Sequence, residues 1–439
     1  MSPNTDTDLT TRARRVLRQN DTGSFVKPSP EQYPHQWNWD AALIAMGLAT
    51  FDAPRAQAEV RKLLEGQWQG GMVPHILYHD GASDYFPTPE FWQTDKNPNA
   101  PQVATSGLTQ PPVLATAVRA IFERDDDKGS AHSFVLEVYP KLLAWHRWFR
   151  TARDPEHTGL VALIHPWESG MDNSTRWTEA LARVSPTGAP AYERHDRQHV
   201  AADERPVSGD YDRFMALIKH YRDAAWDVNK LYQTAPFCVQ DTFINAVLHR
   251  ADEDLLFLAE VAGEPADEIR GWLARTRRAF DTRLWDEDAG LYFDFDLRAG
   301  QPVRENTCAS FAPLYAGLSD DAQAARLLEH LLNPDEYAPG EHTRYFLPSA
   351  AKNSPLFEPK RYWRGPVWIN INWLVAQGLS RYGYVELADT IKTHTLELTQ
   401  RSGFAEYYDP RDGAPCGARN FSWSAALVLL LLETTSTPT

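Results

Sequence analysis

The segment from His165 to Trp177 carries residues suited to acid–base chemistry. Its sequence is His-Pro-Trp-Glu-Ser-Gly-Met-Asp-Asn-Ser-Thr-Arg-Trp, which places the acids Glu168 and Asp172 four residues apart. Small polar residues and a glycine beside aromatic rings suit neither a helix interior nor a strand, so we predict a shaped loop. Carboxyl groups can transfer protons to and from a substrate. The alternative is structural, since the short polar side chains of residues 172–174 can cap the start of a helix.

Aromatic residues are concentrated in loops rather than in periodic apolar runs. The chain has 15 tryptophans, 17 tyrosines and 19 phenylalanines. Tryptophans in segments rich in Gly, Pro and Asn are Trp37, Trp39, Trp68, Trp92, Trp167, Trp363 and Trp368. Flat rings on loops suit a concave site that binds sugars. Any single tryptophan here could equally be a core residue, so the inference depends on the cluster.

The composition argues against several classes of partner and site. A formal net charge of −15 disfavours nucleic acid, which is bound by basic patches. The opening residues lack a basic segment followed by an apolar one, so we predict no secretory signal. The apolar run 425–432 is too short to span a bilayer and is predicted to be a buried helix. These features predict a cytoplasmic protein without a membrane partner.

Neither a metal nor a cofactor is predicted. Three cysteines, Cys238, Cys308 and Cys416, lie far apart, which offers neither a disulfide framework nor a zinc site. The histidines His75 and His79 with Asp80 have the spacing of metal ligands. A preceding proline and a following glycine argue against a helix that would bring these three side chains together.

The elements that must position the loops are mainly helices. Apolar periodicity predicts about a dozen helices, at residues 8–19, 41–47, 56–64, 113–123, 131–152, 214–218, 239–262, 266–284, 307–317, 320–332, 367–382, 384–400 and 422–433. Residues 290–297 alternate with period two and predict one short β-hairpin. A solenoid would show a repeat of about 30–45 residues, and none is found. We therefore predict an all-α closed barrel of helical hairpins, with the β-hairpin at its mouth.

The whole chain, residues 1–439, is predicted to be one domain, because no stretch is biased enough in composition to mark a boundary. Residues from about 186 to 212 are polar and irregular, with several prolines and glycines. Such a stretch is more typical of a flap over a site than of a linker between domains.

Seven motifs spread over residues 30–433 resemble glycoside hydrolase family 63. The likeness is closer to its short bacterial members, which hydrolyse mannosylglycerate and glucosylglycerate. The motifs are Trp37-Asn38-Trp39-Asp40 and residues 69–75, 105–112, 165–177, 362–370, 403–410 and 421–426. The resemblance implies an (α/α)6 barrel, in agreement with the predicted helices.

The resemblance also implies the two catalytic groups. Asp172 would be the general acid and Glu406, in Gly-Phe-Ala-Glu-Tyr, the general base of an inverting hydrolysis. One carboxyl must be protonated to neutralise the departing oxygen, while the other must be ionised to accept a proton from water. Inverting geometry needs about 6.5–9.5 Å between them. Glu168 and Asp409 are competing acids; Glu168 could instead orient the acid or hold a sugar hydroxyl, and Glu406 could be a solvated strand residue.

A sugar subsite follows from the same resemblance. Its implied members are Tyr33, Trp37, Trp39, Asp40, Gln110, Trp363 and Trp368. Further predicted substrate-binding residues are Tyr85, Trp167, Trp177 and Tyr362. Rings stack on pyranose faces, while Asp40 and Gln110 can hold hydroxyl groups. Gln240 and Asp241 begin an apolar helix and could face the mouth or cap that helix.

The aglycone of such a substrate is glycerate, a small anion that needs a local cation. Residues 205–211 resemble the glycerate-contacting loop of these hydrolases, which places Arg205 on the carboxylate and Tyr211 as a hydroxyl donor. Arg364 is the other candidate cation, and the alternative for Arg205 is an exposed loop charge. His75 could bond a glycerate oxygen or be structural.

The prediction is an inverting α-glycosidase that hydrolyses 2-O-α-mannosyl- or glucosyl-D-glycerate to hexose and glycerate. One alternative is an inverting α-glucosidase acting on a neutral oligosaccharide. Another is a sugar epimerase, which needs two histidines at the mouth, where His75 and His165 are the candidates. A third is a sugar-binding module, against which the two carboxylates argue. The sequence distinguishes neither mannose from glucose nor a monomer from a homo-oligomer.

Overall fold

The computed structural model describes residues 3–79, 85–189 and 191–433. Within these ranges the α-helices, numbered α1 to α16 in chain order, are Pro3–Asn20, Asn38–Leu48, Ala53–Leu64, Pro89–Trp92, Leu114–Arg124, Lys128–Trp148, Thr178–Ala182, Ser208–Asp223, Val228–Thr234, Thr242–Ala262, Asp267–Ala279, Ala312–Ala316, Asp321–Leu331, Ile369–Arg381, Val385–Ser402 and Ser422–Glu433. The strands β1 to β10 are Gln36–Trp37, Ile76–Leu77, Ala162–Leu163, Val239–Gln240, Trp285–Asp286, Leu291–Tyr292, Asp294–Asp296, Gln301–Val303, Ala405–Tyr408 and Pro415–Arg419.

Six helices form a closed inner ring. Helix α2 packs against α5, and the ring continues through α10, α12, α14 and α16 back to α2. All of α2 is buried, and so is α16 from Ser422 to Leu432. Because a helix that is apolar on every face must be covered all round, α2 and α16 belong inside the barrel.

Six further helices lie outside this ring. Helix α1 packs on α16, α3 on α2 and α5, α6 on α5 and α10, α11 on α10, and α15 on α14 and α16, while α13 contacts β6. Outer helices are apolar on one face only, as in α3, where Ala56, Val60, Leu63 and Leu64 are buried. Inner and outer helices alternate along the chain, which confirms the predicted (α/α)6 barrel.

All inner helices run in the same direction, because an outer helix returns the chain after each one. Their starts therefore meet at one end of the barrel. Trp39, Phe243 and Trp423 are each the second residue of an inner helix, and the Trp39 ring lies 6.5 Å from Phe243 and 4.9 Å from Trp423. The positive ends of the helix dipoles consequently point towards this mouth.

The strands are short and lie among the loops. The predicted hairpin is present in part: β7 pairs with β8 and continues a four-stranded sheet of order β3-β4-β7-β8, whereas β6, in the same predicted stretch, pairs with β5. Strand β4 directly precedes α10, so the hairpin lies at the mouth; the prediction of helix from residue 239 was wrong at its first residues. The pair β9 and β10 was not predicted, although β9 lies within the motif 403–410. Strands β1 to β6 have two residues each, which is too short to show a period of two.

The predicted flap differs from the structure at its end. The described residues are irregular up to Val207, but α8 begins at Ser208, so residues 208–212 are the first turn of a helix. The irregular part is anchored to the mouth by hydrogen bonds. Tyr407 Oη donates to the backbone oxygen of Glu204 at 2.7 Å, and Arg361 Nη1 donates to that of Arg205 at 2.9 Å.

None of the helices in the described ranges combines the length and apolar character needed to cross a membrane.

The contact between α2 and α16 gives a test of ring packing. A Cβ on Gly47 would lie 2.4 Å from the Cα and Cβ of Ala426. We expect Gly47→Ala to lower the melting temperature, because overpacking a core costs about 1–3 kcal/mol. On the outer helix α11, a Cβ on Gly271 would have its nearest contact at 3.6 Å. Gly271→Ala should therefore be neutral or stabilising by up to about 1 kcal/mol. Calorimetry measures the melting temperature of both variants. Equal melting temperatures for Gly47→Ala and Gly271→Ala would contradict this packing.

Candidate active site

A cavity of about 60 Å³ lies at the barrel end where the inner helices begin. One ordered water needs roughly 10–15 Å³, so this space holds several waters or a small ligand group. Thirteen of the residues proposed from the sequence line it, namely Tyr33, Trp37, Trp39, Asp40, His75, Tyr85, Gln110, Trp167, Asp172, Arg205, Tyr211, Tyr362 and Glu406. These residues come from the segments that precede α2, α5, α10, α14 and α16, from the first turns of α2 and α8, and from the flap.

Glu406 lies on β9 and is almost fully buried, with 1% of its surface exposed. Its Oε1 accepts a hydrogen bond from Tyr33 Oη at 2.7 Å, and its Oε2 accepts one from the backbone N–H of Ala418 at 2.9 Å. Arg205 Nη1 lies 3.5 Å from Oε1. Each oxygen of the Glu406 carboxyl group therefore accepts one hydrogen bond.

Strand β10 contains a glycine at the irregularity between Cys416 and Arg419, where its pairing with β9 shifts register. Gly417 has φ +66°, and a Cβ there would lie 2.5 Å from Glu406 Oε2. A side chain at position 417 would therefore both strain the backbone and displace the carboxylate.

Asp172 lies in the loop predicted from its sequence, and its carboxyl faces the cavity. The loop is closed by Trp177, whose Nε1 donates to the backbone oxygen of Met171 at 2.8 Å. Neither the short 3₁₀ turn after Ser174 nor helix α7 is capped by a side chain in the described chain, so the helix-cap alternative for Asp172 was wrong.

The electrostatic environment of Asp172 favours its protonated form. Burial raises the pKa of Asp172 to about 7; the cation Arg205 opposes this shift, while the charges of Glu406 and Asp196 add to it. Close to neutral pH the carboxyl therefore holds a proton for part of the time, whereas an ordinary aspartate does not.

Asp40, in the first turn of α2, is a further acid facing the cavity. Burial, followed by the charge of Glu406, raises the pKa of Asp40 well above its usual range. A protonated carboxyl can both donate and accept a hydrogen bond, as contacts to sugar hydroxyls require.

The two candidate histidines differ in position. His75 lines the cavity, lies 3.0 Å through Nδ1 from Ser106 Oγ, and is neutral because burial lowers its pKa to about 3. His165 does not line the cavity; its Nδ1 accepts the backbone N–H of Trp167 at 3.0 Å. The mouth therefore offers one histidine among the described lining residues.

Arg205 is the only lysine or arginine among the described residues that line the cavity. It is 4% exposed, so the alternative of an exposed loop charge was wrong. Its Nη2 donates to Tyr33 Oη at 3.0 Å, and its guanidinium lies 4.2 Å from the centre of the Tyr362 ring. Nε lies 3.5 Å from the carboxylate of Asp196.

Comparison with known proteins identifies the family. Residues 33–424 match the model of the mannosylglycerate hydrolase MGH1-like glycoside hydrolase domain. The chain belongs to this family of glycoside hydrolases. The likeness of the seven motifs to glycoside hydrolase family 63 is thereby confirmed.

Relatives share most of their length with this glycoside hydrolase. Mannosylglycerate hydrolase of Thermus thermophilus is 46% identical over 95% of this chain and 99% of its own. Glucosylglycerate hydrolase of Mycolicibacterium hassiacum is 37% identical over 97% of this chain and 98% of its own. The crystal structure of a family 63 mannosylglycerate hydrolase from Thermus thermophilus with Tris and D-glycerate superposes with a TM-score of 0.91, at 46% identity, over 97% of this chain and 100% of that one.

Four residues proposed for the substrate of this hydrolase lie outside the cavity lining and support loops instead. Glu168 is fully buried, pairs with Arg153 at 2.5 Å and accepts the N–H of Ile164. Asp241 caps α10 by accepting the N–H of Ile244 at 2.7 Å. Gln240 Nε2 donates to the backbone oxygen of Leu160 at 3.1 Å. The fourth is Trp177, which closes the acid loop, residues 165–177, as described above.

Three residues of the 362–370 motif also lie outside the lining. Trp363 and Trp368 stack on each other with ring centres 3.8 Å apart, behind Tyr362. Arg364 lies 3.1 Å from Glu358 rather than at the cavity, which leaves Arg205 as the candidate cation. Within one motif, therefore, a single side chain contributes to the wall and the others support it.

Lining residues that were not proposed from the sequence include Asp196, Phe421 and Trp423. Phe421 and Trp423 belong to the last of the seven motifs, so the sequence did mark this segment, but neither residue was assigned a role. Asp196 lies in the flap, and nothing in its local sequence distinguishes it from the neighbouring polar residues. Of the three residues with metal-ligand spacing, Asp80 lies outside the described residues. Those described residues contain no cluster of three or more potential metal ligands.

The position of Glu168 yields a test that separates two roles. We expect Glu168→Gln to destabilise the fold by about 3–5 kcal/mol, because it leaves the buried charge of Arg153 unpaired. The KM for substrate, measured where the variant is folded, should stay close to that of the wild type. Thermal unfolding and steady-state kinetics measure both quantities. A raised KM with unchanged stability would instead assign Glu168 to substrate binding.

Proposed function

We propose that this glycoside hydrolase cleaves 2-O-α-mannosyl- or glucosyl-D-glycerate with inversion, with Asp172 as general acid and Glu406 as general base. The observation that carries the proposal is that both carboxyl groups line one cavity that also contains a buried cation, Arg205. Relatives named for hydrolysis of mannosylglycerate and glucosylglycerate support this substrate class, as does the related structure with D-glycerate bound.

Asp172 supplies the proton for the leaving group. Its raised pKa means that the acid form is populated at the pH where the enzyme would work. As the bond between sugar and glycerate breaks, negative charge develops on the departing oxygen, and proton transfer from Asp172 neutralises it.

Glu406 accepts a proton from the attacking water. The donors Tyr33 and Ala418 N–H fix its two oxygens, so the base is oriented before the substrate arrives. Water attacks the sugar on the face opposite to the leaving group, and the product has inverted configuration.

Arg205 and Tyr211 would bind the glycerate. A carboxylate in this cavity finds one guanidinium among the described lining residues, while the Tyr211 hydroxyl can donate a hydrogen bond. A neutral oligosaccharide makes no use of this buried cation, which argues against the first alternative. The epimerase alternative lacks its second histidine among the cavity-lining residues that the structure describes.

The catalytic assignment is tested by two substitutions that keep side-chain size. Asp172→Asn and Glu406→Gln should each lower kcat by several orders of magnitude while the variants still fold and bind. In the wild type, proton NMR of the first product formed from the α-glycoside should show the β-anomer. Initial release of the α-anomer, or near-normal activity of either variant, would remove the corresponding assignment.

The pKa of Asp172 predicts the alkaline side of the pH profile. Because Asp172 must be protonated to act as the acid, activity should fall as the pH rises through about 7. A glycosyl fluoride is the control substrate, since fluoride leaves without being protonated. Its hydrolysis should show a much weaker alkaline decline. Equal declines for both substrates would mean that the titrating group is not the acid.

A further inference from the structure

Arg205 stands between two carboxylates without a close bond to either. Its Nη1 lies 3.5 Å from Glu406 Oε1, and its Nε lies 3.5 Å from Asp196 Oδ2. Charge-assisted hydrogen bonds between such groups are usually about 2.7–2.9 Å long. Nη1 has no hydrogen-bond partner within the described part of the chain, and the one short contact of the guanidinium is to the neutral Tyr33 hydroxyl at 3.0 Å. The cation is therefore not committed to one anion.

The two carboxylates depend on Arg205 to different degrees. Asp196 has a second cation, because Arg194 binds it with two nitrogens, Nε at 2.8 Å among them. The hydrogen-bond donors to Glu406 are the neutral groups Tyr33 and Ala418 N–H, and Arg205 is the cation found beside it among the described residues. Withdrawal of Arg205 would leave Asp196 paired, whereas Glu406 would keep its orientation and lose its counter-charge.

A substrate carboxylate in the cavity must compete for the same guanidinium. The other charged or acidic groups of the described lining are Asp40, Asp172, Asp196 and Glu406, and His75 is neutral. We propose that Arg205 is shared between the general base and the aglycone carboxylate, so that carboxylate binding draws the guanidinium away from Glu406. This inference rests on the proposed function of the site.

The physical consequence is a change in the strength of the base. A nearby cation stabilises the charged form of a carboxylate and makes it a weaker proton acceptor, whereas a nearby anion has the opposite effect. Capture of Arg205 by the aglycone therefore strengthens Glu406 at the moment when water must be activated. Selectivity for an anionic aglycone then operates through kcat as well as through KM.

The experiment separates the sugar from the carboxylate. An α-glycosyl fluoride fills the sugar subsite, and 3-hydroxypropionate supplies the carboxylate without the 2-hydroxyl of glycerate, which would overlap the fluorine. Competition against glycosylglycerate hydrolysis first gives the concentration that saturates the aglycone subsite. At that concentration we expect 3-hydroxypropionate to raise kcat for the fluoride by a factor on the order of ten. The neutral analogue 1,3-propanediol should leave kcat unchanged.

Two variants locate the effect. Arg205→Gln should abolish the response to 3-hydroxypropionate. Arg213→Gln, a matched change on α8 at a residue that does not line the cavity, should keep the response.

The wild-type measurement alone decides the inference, even if Arg205→Gln does not fold. Inhibition, an unchanged kcat, or failure of 3-hydroxypropionate to bind would overturn the shared role of Arg205. Hydrolysis of glycosylglycerate in the same preparation would show that the proposed function survives that result. Absence of that hydrolysis would overturn the proposed function itself.

Discussion

The site depends on one buried guanidinium among four carboxyl groups. Without a cation, so many acids in one enclosed space would repel each other and bind protons. Arg205 breaks this symmetry by lying near Glu406 and Asp196. For Asp172 and Asp40, burial is the largest influence, and their pKa values rise. Chemically similar side chains thus lie in different environments, as the acid and base roles proposed for Asp172 and Glu406 require.

The barrel holds these acidic residues in place. Six inner helices begin at the mouth. The partial positive charge of their ends stabilises ionised carboxylates among the acids that cluster there. The acid loop is further held by Arg176, which lies 2.7 Å from Asp294 and 3.2 Å from Asp241 at the start of α10. This buried network connects the loop of Asp172 to the β-hairpin and to the inner ring. The carboxyl of Asp172 is therefore positioned by rigid elements even though it lies in a loop.

The flap completes the cavity from the other side. It contributes Asp196 and Arg205, while the Tyr407 hydroxyl, from the residue beside Glu406, fixes the flap through the backbone of Glu204. The proposed general base and the proposed aglycone cation are in this way connected through the same contact. Under the proposed function, recognition of the leaving group and activation of water would be structurally linked rather than assigned to separate parts of the protein.

The sequence by itself determined the helical architecture and the chemical types at the mouth. Apolar periodicity is a local property, and it sufficed for the inner and outer helices, apart from their ends and the short strands. The motifs likewise identified the acid loop, Glu406 and most of the lining residues. Only the tertiary structure decided which neighbours face the cavity: Asp172 but not Glu168, Tyr362 but not Trp363, Arg205 but not Arg364. The physical reason is that a loop residue's direction is set by distant partners, such as Arg153 for Glu168 and Glu358 for Arg364. Asp196 carries no local signal at all, because it becomes a wall of the site only where the flap meets the barrel.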